Sequence, residues 1–277
     1  MPLLDWSALT RHARLARYAR LAETTEIELN RLENKVAVVT GGNSGIGLAT
    51  AKLFVAKGAS VVIVGRRSDA VDAAAAELGG RAIGLTGDMA APKTHDRVAS
   101  LVAERFGGAD IYVANAGINT IASSDNVSNE SYDAHFATNT KAVFFGVQKI
   151  APQMRDGGAI LLTSSIASSK VFDGHAVYAG TKAAIEAFAR SWTLEFKSRG
   201  IRVNVMSPGP VDTPILSKLG IESADRPAFE ATVANSIPLG RLGRPEELAR
   251  AALFLVSAEG SFVNGINLNV DGGMSLT

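Results

Sequence analysis

The sequence predicts an α/β fold: one doubly wound domain on a seven-stranded, mostly parallel sheet with helices on both faces. Three observations carry that expectation. Short runs rich in Val and Ile alternate with longer stretches of helical periodicity from Lys35 onward. Hydrophobic residues make up 47% of the 277 positions but aromatics only 6%, so the core must be built from Ala, Val, Ile and Leu, as in parallel sheets covered on both faces. A glycine-rich turn stands where the first strand gives way to the first helix.

Taken in order, Val36–Val39 reads as a strand, followed by a helix from about Ile46 to Ala56. The alternation continues with strand Val61–Val64 and helix Ala70–Leu78, then strand Ala82–Leu85 and helix Pro92–Phe106, then strand Ile111–Val113. A helix around Ser131–Met154, strand Ile160–Leu162, a helix from about Ala176 to Lys197 and strand Val203–Val205 come next. A helix opened by Pro245-Glu246-Glu247 and a last strand, Ile266–Val270, complete the series. One such series leaves no break for a second domain, so residues 35–277 read as a single unit. The stretch from Pro214 to Leu242, polar with scattered Pro and Gly, interrupts the alternation and reads as a lid over a ligand crevice.

Residues 1–34 differ from the rest. Leu15, Tyr18, Ala19 and Ala22 fall on one helical stripe, and Arg11, Arg14, Arg17 and Arg20 make the segment basic. It lacks the apolar core of a secretory signal, and Asp5, Glu23, Glu26 and Glu28 do not suit a transit peptide. It reads as a helical arm lying on the surface or against a neighbouring subunit. The net charge of +1 gives no electrostatic reason to expect nucleic acid or an anionic membrane as partner. The absence of cysteine excludes disulfides and thiolate chemistry and fits a cytoplasmic protein. His12, His95, His135 and His175 show no metal-ligand spacing, so no metal is expected. No apolar run approaches the ~20 residues that cross a bilayer, and the chain reads as soluble.

The turn is Thr40-Gly41-Gly42-Asn43-Ser44-Gly45-Ile46-Gly47. Its glycines allow a sharp turn, a close approach of backbone N–H groups to a pyrophosphate, and tight packing of helix on strand. The helix N-terminus then offers free N–H groups and the positive end of its dipole to the phosphates. This is a Rossmann-type dinucleotide site. The spacing Thr-Gly-x-x-x-Gly-x-Gly resembles the short-chain dehydrogenase/reductase family, and the resemblance runs from about Lys35 to Met274. Asp88, Asn115-Ala116-Gly117, Pro208-Gly209 and Val270-Asp271-Gly272-Gly273 share in it. Within the family the chain is similar to the 3-oxoacyl-carrier-protein reductases and the glucose dehydrogenases. The resemblance implies cofactor contacts from Asp88, Met89, Asn115, Ala116, Gly117, Pro208, Gly209, Val211 and Thr213, besides Tyr178 and Lys182. Asn115 in particular is expected to bridge strands beneath the cofactor.

Strand Val61–Val64 ends in Gly65-Arg66-Arg67. An NAD site usually places a carboxylate there to hold the adenosine ribose, whereas an arginine fork suits the 2′-phosphate of NADP. NADP(H) is therefore expected, with NAD(H) the alternative. Many NADP-using relatives carry a second basic residue inside the glycine turn, where this chain has Asn43-Ser44.

Tyr178 and Lys182 stand four apart in a helical segment and so share one face. Ser165 follows the fifth strand, where ligands bind in open α/β sheets. Reducing a ketone leaves an alkoxide that needs a proton, and a cation beside a phenol brings its pKa toward neutrality. The residues alone leave Ser164 and Ser165 as alternatives for the substrate-facing hydroxyl. The resemblance selects Ser165 and adds Asn139, implied to hold a water in a proton relay. It also implies a dimer or tetramer formed through the helices around Ser131–Met154 and Ala176–Lys197. The expected function is hydride transfer between a nicotinamide and a small carbonyl or secondary-alcohol substrate. A non-catalytic NADP-sensing regulator on the same fold is the rival, disfavoured by the intact Asn139, Ser165, Tyr178 and Lys182.

Overall fold

A computed structural model describes residues 31–214 and 226–277. The basic helical stripe at residues 9–22 and the first part of the expected lid, residues 215–225, lie outside the described residues. The series opens with β1 (Val36–Thr40), α1 (Gly45–Ala56), β2 (Ser60–Gly65), α2 (Ser68–Leu78), β3 (Ala82–Thr86), α3 (Pro92–Phe106) and β4 (Ala109–Ala114). It continues with α4 (Asn129–Phe136), α5 (Ala142–Ile150), β5 (Met154–Thr163), α6 (Ala176–Glu195), β6 (Arg202–Pro208), α7 (Arg226–Asn235), α8 (Pro245–Val256) and β7 (Asn267–Val270). All seven strands join one sheet in the order β3-β2-β1-β4-β5-β6-β7, and every pairing is parallel.

Successive residues of a strand face opposite sides of the sheet, and the core divides accordingly. Val38, Val62, Tyr112 and Ile160 pack on one side with Val143 and Trp192. Val39, Ile63 and Leu161 pack on the other with Phe54 and Leu253. Few aromatics are needed because the β-branched strands fill both layers themselves.

Two elements depart from the sequence expectation. The helix expected over Ser131–Met154 is broken: a π-helical turn at Ala137–Lys141 separates α4 from α5, and a 3-10 turn at Ala151–Gln153 ends α5. Pro152 stands in that closing turn, where its ring and missing N–H oppose further helix. Met154 therefore begins β5, which runs for 10 residues rather than the expected Ile160–Leu162. Gly157, at φ +76°, and Gly158 hide the first half of that strand from a reading based on apolar runs. The pairing register slips between Ala109 and Ile111 opposite this glycine pair. The second departure is α7, a helix inside the stretch that the sequence marks only as an interruption.

At the N-terminal edge of the sheet, far along the strands from the glycine turn, the buried Asp110 carboxylate gathers three donors. Oδ2 accepts from the Val36 amide at 2.9 Å and from Arg155 Nη1 at 2.6 Å, and Oδ1 accepts from Lys35 Nζ at 3.2 Å. The acid thus joins β1, β4 and β5. Asp110→Ala leaves a buried amide and a guanidinium without their acceptor. It should cost about 2–3 kcal/mol, read as a lower urea midpoint at unchanged slope. A change under about 0.5 kcal/mol would deny the carboxylate this role.

Candidate active site

The chain leaves β1 toward β2 and β3 on one side and returns to β4 on the other, so the strand order reverses between β1 and β4. At this switch point, beyond the C-terminal strand ends, lies a cavity of about 720 Å³. Gly41, Ser44, Gly45, Ile46 and Arg66 line it from the β1–β2 half of the sheet, with Asn115, Ala116 and Gly117 at the end of β4. Ser165, Tyr178, Lys182, Pro208, Gly209, Val211 and Thr213 line it from the other. The sequence-predicted Asn43, Gly47, Arg67, Asp88, Met89 and Asn139 do not reach its wall.

The glycine turn is built for close approach. Gly41 sits at φ +65°, a left-handed conformation that a side chain disfavours, and its amide donates to the Val64 carbonyl at 2.8 Å. A Cβ at Gly47 would collide with the Gly41 carbonyl oxygen and the Asn115 amide. With that space free, α1 begins at Gly45 and its first turn opens on the cavity. Beneath it, Asn115 Nδ2 donates to the Thr40 and Gly41 carbonyls at 3.1 and 3.4 Å. Thr40 Oγ1 accepts from the Asn115 and Ala116 amides, both at 3.0 Å. Asn115 thus bridges the ends of β1 and β4.

The remaining predicted cofactor residues stand around this turn. Asn43 lies against Gly65 at the end of β2, so closely that a Cβ there would strike its Oδ1. Arg66 and Arg67 are exposed, and among the described residues neither has an ion-pair partner. Arg67 is the N-cap residue of α2, which leaves Arg66 at the cavity wall. The exposed Asp88 carboxylate accepts from the Ala90 amide at 2.9 Å, and Met89 is buried in the core.

On the opposite wall, Ser165, Tyr178 and Lys182 meet. Ser165 hydrogen-bonds the Tyr178 phenol and accepts from the Ala167 amide at 3.2 Å. Buried Lys182 donates to the Thr163 carbonyl at 2.8 Å, with Nζ 5.6 Å from the centre of the Tyr178 ring. The two serines are distinguished by their partners. Ser164 is buried and its hydroxyl donates to Glu186 Oε1 at 2.6 Å, whereas Ser165 faces the phenol. Asn139 is fully buried in the π-helical turn. Its Nδ2 donates to the Ile118 carbonyl at 2.9 Å and to Thr181 Oγ1 at 3.2 Å, and its Oδ1 accepts from the Ile118 amide at 2.9 Å. Its side chain clamps the loop after β4 onto α6.

The electrostatics correct one expectation. Lys182 does not bring the phenol below its ordinary pKa: burial raises Tyr178, and the hydrogen bond from Ser165 opposes that rise. Burial also brings the Lys182 ammonium down to about 8, and the neighbouring Glu186 carboxylate resists this. Glu186 is absent from the sequence-level site. Its spacing of four from Lys182 on the same helix was the available signal. His135 also acts locally. Its Nδ1 donates to the Ser131 carbonyl at 2.7 Å, so its Nε2 is free to accept from the Thr120 amide at 3.2 Å. Among the described residues no cluster suited to a metal ion occurs, and no helix is long and apolar enough to cross a membrane.

A profile of the family described as "Enoyl-(Acyl carrier protein) reductase" matches residues 41–275. Oxidoreductase asL5 of Sarocladium schorii is 38% identical over 249 residues, covering 89% of this chain and 98% of that protein. The chain is a short-chain dehydrogenase/reductase. D-threitol dehydrogenase of Mycolicibacterium smegmatis is 35% identical over 89% of this chain and 95% of its own length. A short-chain dehydrogenase from Burkholderia cenocepacia, solved in complex with NADP, superposes with a TM-score of 0.81. It shares 34% identity over 88% of this chain and 99% of that one. This short-chain dehydrogenase/reductase is an oxidoreductase acting on CH–OH or C=O groups, in a family that uses a nicotinamide cofactor.

The folded chain binds the Lys182 proton less tightly than the unfolded chain does. The residue therefore lowers stability below about pH 8, and that loss fades as pH rises from about 8 to 10.5. Lys182→Met should stabilise the nucleotide-free protein at pH 7 by about 1–3 kcal/mol, the lost bond to Thr163 offsetting about 1 kcal/mol. Thermal melts at pH 7 and pH 10 check this. A variant less stable than the parent at pH 7 would contradict it.

Proposed function

We propose that the chain transfers a hydride between NADP(H) and a carbonyl or secondary-alcohol substrate, with Tyr178 as general acid and base. The observation that carries this reading is the convergence of Ser165, Tyr178 and Lys182 on one wall of the cavity, facing the glycine turn across it. The opposite wall fits a dinucleotide, because Gly41 and Gly45 present backbone without side chains at the cavity and α1 opens on it. A nicotinamide held there would supply or take the hydride. Ser165 holds the substrate oxygen, and Tyr178 gives it a proton in reduction or takes one in oxidation. Lys182, held by the Thr163 carbonyl, keeps a positive charge beside both.

Arg66 at the cavity wall supports NADP over NAD, since its guanidinium is free to pair with a 2′-phosphate. The NADP complex of the Burkholderia relative points the same way. Asn139 acts through the loop that it clamps, and its backbone stands in a π-helical turn of the kind often found at functional sites. We place the protein in the cytoplasm. Exposed Phe144, Phe145 and Leu194 on α5 and α6 support a dimer or tetramer formed over those helices.

The raised phenol keeps its proton at neutral pH, so reduction should proceed there while alcohol oxidation climbs as pH rises above neutrality. Tyr178→Phe should lower kcat by about 10²–10⁴ in both directions with nucleotide affinity retained. Unchanged turnover would remove Tyr178 from the chemistry and favour the regulator reading. Arg66→Ala should lower kcat/KM with NADPH by about 10–100-fold and change it little with NADH. A parent enzyme that prefers NADH would refute the role given to Arg66.

A further inference from the structure

His175 lines the same cavity three residues before Tyr178 and has no part in the proton transfer described above. Its position is tightly fixed. It is the N-cap residue of α6, and its carbonyl accepts from the Ala179 amide at 2.8 Å. The preceding Gly174 carbonyl accepts from the Ala122 amide at 3.0 Å, which ties this turn to the loop after β4. The imidazole stands edge-on to the Tyr178 ring with centroids 6.2 Å apart, and 5.5 Å from the Phe172 ring.

Its protonation pattern is also fixed. Nδ1 lies 2.8 Å from the Asp173 carbonyl, which can only accept, so Nδ1 carries the hydrogen. In the neutral ring Nε2 is then a lone-pair acceptor, and it has no partner among the described residues. Phe172 stands against the ring, and Ile121, Ile166, Phe229, Val233 and Met274 add apolar lining to the same cavity. Asn119, Thr120 and the exposed Asp173 add polar groups to the same lining, and the Asp173 charge disfavours an anionic ligand.

We propose that His175 is a specificity-determining residue that accepts a hydrogen bond from a hydroxyl on the carbon next to the reacting one, so that the preferred substrates are uncharged 2-hydroxy ketones and vicinal diols on an apolar body. The inference rests on the oxidoreductase reading of the cavity. Tyr178 fixes the reacting oxygen, and the imidazole, its centroid 6.2 Å from the Tyr178 ring on the same cavity, is the acceptor assigned to an oxygen one carbon further along. An acceptor at this point selects a hydroxyl. A second carbonyl or a carboxylate would set lone pair against lone pair, so 2-diketones and 2-oxo acids are disfavoured.

The test compares cis-1,2-cyclohexanediol with cyclohexanol, oxidised by the full-length protein with NADP⁺ and with NAD⁺. The parent should favour the diol in kcat/KM by about tenfold or more. His175→Leu should bring that ratio toward one through the diol, and His175→Gln, which restores an acceptor, should recover part of it. Nucleotide binding by both variants checks that the fold survives. Equal use of the two alcohols by the parent, or a ratio that His175→Leu leaves unchanged, overturns the proposal and spares the oxidoreductase reading. Failure to oxidise either alcohol with either nucleotide counts against both.

Discussion

The ends of β1 and β4 must part to open a crevice and yet be held together to give it a floor. Thr40 and Asn115 meet this constraint with side chains and backbone at once: one hydroxyl takes two amides of the β4 exit, and one carboxamide returns to two carbonyls of the β1 exit. The glycine turn stands on that joint. Gly47 can pack against the Gly41 carbonyl and the Asn115 carboxamide only because it carries no side chain. The direction of α1, and with it the aim of its N-terminus, follows from the same contacts. What lies across the cavity is anchored differently, by α6 and the buried amide of Asn139, so the two walls owe their spacing to the sheet between them.

The second wall sets stability against chemistry. A buried ammonium beside a half-buried phenol is a poor way to stabilise a fold, and both groups have pKa values moved by desolvation in the directions that disfavour charge. Glu186 and the Thr163 carbonyl compensate in part, one by charge and one by a hydrogen bond. Ser164 belongs to this supporting set. Its adjacency to Ser165 in sequence conceals a division of labour in which one hydroxyl serves the helix and the other faces the cavity.

Much of this was legible in the sequence because its signals are local. Periodicity gives strand and helix, and the turn Gly41–Gly47 declares itself by the glycines that a close approach needs. Tyr178 and Lys182 share a helix face by spacing alone. The family resemblance, rather than any spacing, set Ser165 above Ser164, and the partner of Ser164 lies 22 residues away on another element. The break at Ala137–Lys141 escaped detection because a π-helical turn keeps helical composition. The early start of β5 escaped because Gly157 and Gly158 carry no apolar signal. The direction of the Tyr178 shift has a related reason: sequence places a cation nearby but does not reveal the desolvation that raises the phenol.

Arg66 and Arg67 stand exposed beside the mouth of the cavity, with no acidic partner among the described residues. A chain that is almost neutral overall therefore presents a local positive field where a multiply charged nucleotide would arrive. Such a field acts on encounter before any contact forms, and mobile ions weaken it over a Debye length of about 8 Å at physiological ionic strength. The rate of capture, more than the rate of escape, is then the quantity that salt controls.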